Sequence, residues 1–161
     1  ANLDDEKLYD VALAKGFDAI TFGRFLRVDY HFNHMPRWRR GLLRKLRSFR
    51  LRPHINNMKT VNKHMWLEGI DDKETTIPFL LPNWDHTPRS GMRGDVIVGA
   101  TPEEFKKQAE LVISNVQKKD NKIIMLKSWN EWAEGNYMEP DLKFHRGFID
   151  ALRDVVNKYK K

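Results

Sequence analysis

The stretch KIIMLKSWNEWAEGNYMEPD, residues 122–141, decides the fold class of this chain. Its first part, KIIMLKSW, is an almost continuous apolar run, which is typical of a parallel strand that is covered on both faces. Its second part holds carboxylates, amides, indoles and a glycine, which favour a turn after the strand. The stretch therefore predicts a buried strand, residues 122–129, whose carboxyl end carries polar and aromatic side chains.

Helical patterns precede and follow this strand. Thr101 caps a helix that extends to about Lys119, because Pro102 takes the first helical position and Glu104 follows the cap by three residues. Apolar residues at helical spacing predict further helices. Those helices cover residues 4–15, 37–49, 58–68 and 144–159.

Two more strands are predicted from β-forming residues between turn signals, at residues 17–22 and 75–84. The segment between residues 85 and 95 is predicted to be a polar loop. Strands that alternate with helices favour an α/β fold with a parallel sheet. We expect residues 1–161 to form a single α/β unit. Because a complete (β/α)8 TIM-like barrel usually needs about 250 residues, the chain would be the C-terminal part of such a barrel.

The composition is that of a globular chain, with 40% hydrophobic and 32% charged residues. There is no cysteine, which excludes disulfides, thiolate catalysis and cysteine-based zinc sites within this chain. No apolar run approaches the ~20 residues that a membrane span needs. We also expect no signal peptide at the start, since neither a basic nor an apolar segment opens the sequence.

The net charge of +7 belongs to one segment. Residues 37–52, RWRRGLLRKLRSFRLR, begin at Arg37, end at Arg52 and contain no acid. The segment reads as a basic amphipathic insert, and three interpretations stay open. It is a solvated helix with an apolar face in the core, a helix on an anionic membrane surface, or a segment that binds nucleic acid through its phosphates. We expect no nucleic-acid partner, because base-stacking aromatics and nucleic-acid motifs are lacking.

Sites in parallel α/β folds form at the carboxyl ends of the strands. Glu131 and Glu134 follow the predicted strand and are three residues apart, so a helical turn would place both carboxylates on one side. Neighbouring carboxylates do not both ionise readily, and such a pair offers the acid and the base that glycosidic bond chemistry requires. The alternative is a pair of solvated charges on a helix face.

The residues around this pair are of the types that line sugar-binding sites. Trp129 and Trp132 offer flat apolar faces to the CH side of a sugar ring, and Asn130 can bond a hydroxyl group. Glu139 either orients the site or bonds backbone groups. Asp141 either belongs to the site or caps the last helix.

A second strand end, PNWDHTPR, begins with Trp84 and continues through Asp85 and His86 to Arg89. One interpretation is contact with sugar hydroxyls or phosphate, for which arginine offers a planar fork of donors. The other is an Asx turn at Asp85 and a surface arginine.

Two histidine groups complete the candidates. His31 and His34 lack a third ligand at a recognisable spacing, so we expect no metal and no cofactor. His54, Asn56 and Asn57 follow irregular chain and are candidates to line the cleft.

SWNEWAEGNYMEPD, together with LPNWDHTPRSGMRG and TPEEF, resembles the WbsX-type glycosyltransferases of bacterial surface polysaccharide and lipopolysaccharide synthesis. That family is similar to the family 99 endo-α-mannosidases, which are (β/α)8 barrels. The resemblance implies that Glu131 is the base on the sugar's own 2-hydroxyl, and that Glu134 is the acid and then the base toward the acceptor. Ala133 stands where the endo-mannosidases have histidine, which concerns substrate contacts and not the carboxylate pair.

Together these observations predict a retaining carbohydrate-active enzyme, by transfer or by endo-glycoside cleavage, that acts on an oligosaccharide or a lipid-linked sugar. The alternative is a non-catalytic carbohydrate-binding or membrane-surface module. The family context implies a cytoplasmic protein, with residues 37–52 at the anionic inner membrane as a peripheral contact. The sequence leaves the oligomeric state, the sugar, the donor and the acceptor open.

Overall fold

A computed structural model describes residues 5–21, 36, 38, 39, 42 and 53–160 of the chain. The helices that it defines are α1 (Asp5–Ala14), α2 (Met58–Asn62), α3 (Thr87–Ser90), α4 (Pro102–Val116) and α5 (Gly147–Tyr159). Short 3-10 turns cover Gly91–Arg93 and Trp132–Glu134. The strands are β1 (His54–Asn57), β2 (Phe79–Leu80), β3 (Trp84–Asp85), β4 (Asp95–Val98), β5 (Met125–Leu126), β6 (Asn130–Glu131) and β7 (Asn136–Tyr137).

The described strands include parallel pairs. β2 pairs in parallel with β5, and β1 pairs in parallel with β4. Ile20 forms a single parallel bridge with Thr76, just before β2. The three expected strand segments therefore contact one another in chain order, although each paired region is shorter than predicted and Phe22 lies outside the described residues.

The prediction of a polar loop at residues 85–95 is wrong in part. Thr87–Ser90 form α3, and Asp95 begins β4, which lies between β1 and β3 in a mixed three-stranded sheet. β1 was not predicted either. β1 is mostly polar, and the apolar run of β4, residues 96–98, is shorter than the run of about four to eight residues that identifies a buried strand.

The expectation that strand 122–129 is covered on both faces is wrong for the described part of the chain. Ile123 is 54% exposed and Met125 is 47% exposed. β2 lies along one edge of β5, and no other described strand pairs with it. An apolar strand sequence predicts that other parts of the protein cover the strand, but the covering layer need not lie in the same stretch of sequence.

The capped helix is confirmed, because the Thr101 side chain accepts a hydrogen bond from the backbone N–H of Glu104 (3.3 Å). α4 and α5 run in the same direction, since Lys106 bonds Asp154 (3.1 Å) and the next turn of each helix is also paired. Gly147 packs against the side chain of Pro102, so both helices begin at the same end of the molecule. This arrangement is typical of consecutive βα units.

The helix predicted at residues 58–68 ends early, at Asn62. Beyond it the chain turns, and the Asp71 carboxylate accepts a hydrogen bond from the backbone N–H of Leu67 (2.7 Å). The last helix begins at Gly147 and not at Phe144, because residues 141–145 form a separate turn. Its predicted inward residues Phe148 and Val155 are buried.

A buried amide fixes α2 and α4 against the strand end that carries the site. The Gln108 side chain is fully buried in α4; its Oε1 accepts from the backbone N–H of Leu81 (2.6 Å) and its Nε2 donates to Asn62 Oδ1 (2.8 Å). Leu81 immediately follows β2. The backbone N–H of Leu81, at this strand end, is therefore satisfied within the core.

The basic segment lies largely outside the described residues, as do His31 and His34. Within it Trp38, Arg39 and Leu42 are described; all three are helical and exposed. Across the described ranges no helix is long and apolar enough to cross a membrane.

Candidate functional site

The site is built on a β-hairpin that follows β5. β6 and β7 pair antiparallel, with Asn130 opposite Tyr137 and Glu131 opposite Asn136. The 3-10 turn Trp132–Glu134 joins them, and Gly135 closes it in the left-handed conformation (φ 51°). The expectation of one helical turn from Glu131 to Glu134 is wrong in part, since Glu131 ends a strand and only Glu134 lies in the turn.

The hairpin docks on the segment that follows β2. The backbone carbonyl of Asn83 accepts from Asn136 Nδ2 (2.6 Å), and Asn83 Oδ1 accepts from the backbone N–H of Tyr137 (2.8 Å). A Cβ at Gly135 would lie 2.9 Å from the Cβ of Asp85, so only glycine permits this approach. The two strand ends that were singled out in the sequence therefore meet.

Glu134 is the point at which they converge. Arg89 Nη1 donates to Glu134 Oε1, and His86 Nε2 lies 3.3 Å from the same oxygen. The Glu134 side chain is 15% exposed, whereas Arg89 is largely exposed. Within the described chain no hydrogen bond reaches Glu134 Oε2. One carboxylate oxygen is thus held by two cationic or protonatable groups, and the other is left for a ligand.

Trp84 and Asp85 hold His86 and the start of α3 in position. Its ring stacks on Trp84, with ring centroids 5.8 Å apart and 18° between the planes, and Lys127 Nζ lies 5.3 Å from the Trp84 ring. Trp84 is buried in the core cluster. Asp85 forms the Asx-type turn, since its Oδ1 accepts from the backbone N–H (2.9 Å) and hydroxyl (2.5 Å) of Thr87. Trp84 and Asp85 therefore support His86 and Arg89 from the protein side.

The other predicted side chains lie on the hairpin. Trp129, Asn130 and Trp132 are exposed, and Glu131 is partly buried. Trp132 Nε1 donates to Glu139 Oε2 (2.6 Å), so Glu139 holds an indole and not the backbone. The backbone N–H of Glu131 donates to Ser128 Oγ (3.1 Å), which fixes the start of β6.

Tyr137 and Asp141 form a half-buried pair behind Trp132. The Tyr137 hydroxyl donates to Asp141 Oδ2 (2.9 Å), and burial, followed by this carboxylate, raises the pKa of Tyr137 to about 12. Burial alone would raise the pKa of Asp141. Hydrogen bonds from the Phe144 backbone and the Tyr137 hydroxyl outweigh it, and the pKa of Asp141 is lowered. Asp141 therefore caps the turn at residues 141–145, and not α5.

Three residues proposed to line the cleft lie in β1. His54 Nδ1 lies 2.9 Å from Asp95 Oδ1 in β4, and Asn57 Oδ1 accepts from the backbone N–H of Lys59 at the start of α2 (2.9 Å). Asn56 is partly buried. No group of three or more potential metal-ligating side chains lies together in the part of the chain that the structure describes.

Asn83 and Tyr137 are the residues that the sequence reasoning missed. Both organise the site, Asn83 by joining the two strand ends and Tyr137 by stacking on Trp132. No local pattern distinguishes them from other polar and aromatic residues, because their partners lie across the hairpin or 53 and 54 residues away.

Comparison with known proteins agrees with the motif resemblance. A family model described as Glycosyltransferase WbsX matches residues 6–152. An uncharacterized protein, WxcX, of Xanthomonas campestris pv. campestris strain B100 is 27% identical over 104 residues, which is 58% of this chain and 15% of the relative. WxcX of a second strain gives the same values. The chain thus aligns with a small part of those relatives, and no solved structure matches. Because the family match extends over most of the sequence and includes both strand ends of the site, the chain belongs to the WbsX glycosyltransferase family.

Proposed function

We propose that this chain supplies the catalytic residues of an enzyme that acts at glycosidic bonds, with retention of configuration, in the synthesis of bacterial surface polysaccharide or lipopolysaccharide. The observation that carries the proposal is the position of Glu134. It lies where two strand-end segments converge, held by His86 and Arg89 and flanked by exposed indoles. Membership of the WbsX family supports a carbohydrate substrate. We also propose that the chain is the C-terminal part of a larger (β/α)8 barrel.

Glu134 is assigned as the acid that protonates the leaving glycosidic oxygen, and then as the base toward the acceptor. Such a group must be held in position and still reach the substrate. Oε1 is held by Arg89 and His86, and Oε2 is the oxygen that would face the glycosidic bond.

Glu131 is assigned as the base, by the resemblance to the endo-mannosidases. It removes the proton of the 2-hydroxyl, whose oxygen attacks the anomeric carbon while Glu134 protonates the departing oxygen. In the second step Glu134 deprotonates the acceptor, which attacks the same carbon, and the 2-oxygen leaves and regains its proton from Glu131. Two inversions give net retention. Water as the acceptor gives hydrolysis and a sugar hydroxyl gives transfer.

The test uses the full-length protein, incubated with α-mannoside oligosaccharides and with lipid-linked glycans, and mass spectrometry of the products. We expect Glu134→Gln to lower turnover by at least ~100-fold and to retain sugar binding. Glu68→Gln is the matched control, because Glu68 is exposed and precedes the amino end of β2. Product formation that is equal in all three proteins would refute the assignment. Saturable binding without any product would favour the non-catalytic carbohydrate-binding alternative.

A second candidate function is contact with an anionic membrane surface. Trp38 is 68% exposed, Leu42 is exposed four residues later, and basic residues surround both in the sequence. Aromatic and aliphatic groups within a basic segment are the composition of an interfacial contact. Cosedimentation with anionic vesicles, weakened by a Trp38→Ser/Leu42→Ser variant and lost with zwitterionic vesicles, would support it. Equal binding of both proteins to both vesicles would contradict it.

A further inference from the structure

Trp132 combines exposure with a fixed position. Its ring stacks on Tyr137, with centroids 3.9 Å apart and 12° between the planes, and yet the residue is 47% exposed. The stack covers one face of the indole. The exposed surface is therefore the opposite face, together with part of the ring edge.

The edge of the same indole is also held. Trp132 Nε1 donates to Glu139 Oε2 (2.6 Å), and this bond fixes the rotation of the ring about its side-chain torsions. An exposed tryptophan without such partners samples several rotamers, and ordering it on binding costs affinity. Here the ordering takes place when the hairpin folds.

Tyr137 is in turn fixed by Asp141. Its hydroxyl donates to Asp141 Oδ2 (2.9 Å), and Asp141 Oδ1 accepts from the backbone N–H groups of Lys143 (2.9 Å) and Phe144. The raised pKa of Tyr137, about 12, keeps the phenol protonated and able to donate over the whole working range of pH. The support of the indole thus extends from a backbone turn through two side chains.

We propose that Tyr137 and Asp141 are positioning residues that hold Trp132 as a preformed platform for the apolar face of a neutral pyranose, in the subsite beside Glu134. Trp132 and Glu134 belong to one 3-10 turn, two residues apart, so the platform and the carboxylate are carried by the same hairpin. The role of the platform in catalysis rests on the proposed function. Binding of a sugar to Trp132 does not depend on that function.

Charge sets the preference for a neutral sugar. The Glu139 carboxylate lies at the edge of the indole, within hydrogen-bond distance of its N–H group. A carboxylate on a ring stacked on this indole, as in a uronic acid, would meet the negative charge of Glu139, whereas hydroxyl groups would find an acceptor. The platform should therefore discriminate by charge as well as by shape.

The test measures binding to the full-length protein by calorimetry and by tryptophan fluorescence, with a neutral α-mannoside oligosaccharide and an oligomannuronate of the same length. We expect Trp132→Leu to weaken binding of the neutral sugar about 10-fold, and Tyr137→Phe, which keeps the stack but loses the hydroxyl, about 3-fold. Tyr159→Phe is the matched control. Tyr159 is the last residue of α5, and α5 begins at the end of the molecule that carries the site, so Tyr159 lies at the opposite end of that helix. This variant should bind as the unmodified protein does.

Glu139→Gln keeps an acceptor for the indole N–H but removes the charge. It should strengthen binding of the oligomannuronate about 5-fold and leave binding of the neutral sugar within 2-fold. In turnover, Tyr137→Phe should raise KM and leave kcat nearly unchanged. Unchanged affinity in Trp132→Leu, or equal losses in Tyr137→Phe and Tyr159→Phe, would overturn the proposal. Sugar binding that depends on Trp132 without any turnover would retain the platform and remove the proposed reaction.

Discussion

Gly135→Ala perturbs the contact that brings the two strand ends together, and Gly69→Ala is its matched control. Both glycines have positive φ, 51° and 78°. A Cβ at Gly69 has nothing within 4 Å, whereas a Cβ at Gly135 would lie 2.9 Å from Asp85 Cβ and 3.0 Å from its backbone nitrogen. The pair therefore separates backbone strain from the steric conflict.

The expected magnitudes follow from those distances. A left-handed conformation at alanine costs about 1–2 kcal/mol, and this applies to both variants. Carbon atoms in ordinary contact are about 3.5–4.0 Å apart, so the hairpin must move away from Asp85 by roughly 0.6–1 Å in Gly135→Ala. Overpacking of that size adds about 1–3 kcal/mol. The total is about 2–5 kcal/mol for Gly135→Ala, against about 1–2 kcal/mol for Gly69→Ala.

The same displacement separates Glu134 from His86 and Arg89. A 1 Å misplacement of a catalytic group lowers the rate by up to ~100-fold. Urea unfolding and turnover of the full-length variants measure both effects. If the two variants lose the same stability and Gly135→Ala keeps full turnover, the close approach of the hairpin to Asp85 does not position the site.

Two further predictions concern the groups that support the site. Gln108→Leu leaves the buried N–H of Leu81 and the Oδ1 of Asn62 without their partner. Urea unfolding should therefore show a free energy of unfolding that is lower by about 1–3 kcal/mol for each group. An unchanged unfolding midpoint would contradict this role of Gln108. Because the folded pKa of Asp141 is lowered, its stabilisation is present above its ordinary pKa and is lost as pH falls through the folded value. The stability advantage of the unmodified protein over Asp141→Asn should therefore shrink below about pH 4, and an advantage that is constant down to pH 3 would exclude this linkage.

Much of the site could be predicted because it follows strand ends. The apolar run before Ser128 identifies a parallel strand, and side chains at the carboxyl ends of neighbouring parallel strands meet. Glu134 and the pair His86 and Arg89 were each predicted to follow a strand end, and in the structure they contact one another although they lie 48 and 45 residues apart in the sequence. That reasoning did not give the hairpin, because two-residue strands are shorter than the period over which alternation is recognised.

The sequence by itself determined the cap of α4 at Thr101 and the family, since each depends on a local pattern or on a long motif, and it predicted an α/β fold. The tertiary structure alone decided which side chains support which. Asn83 joins the strand ends, Tyr137 lies behind Trp132, and Trp84 is buried beneath His86. These contacts depend on how the hairpin turns and docks, and long-range packing sets that geometry.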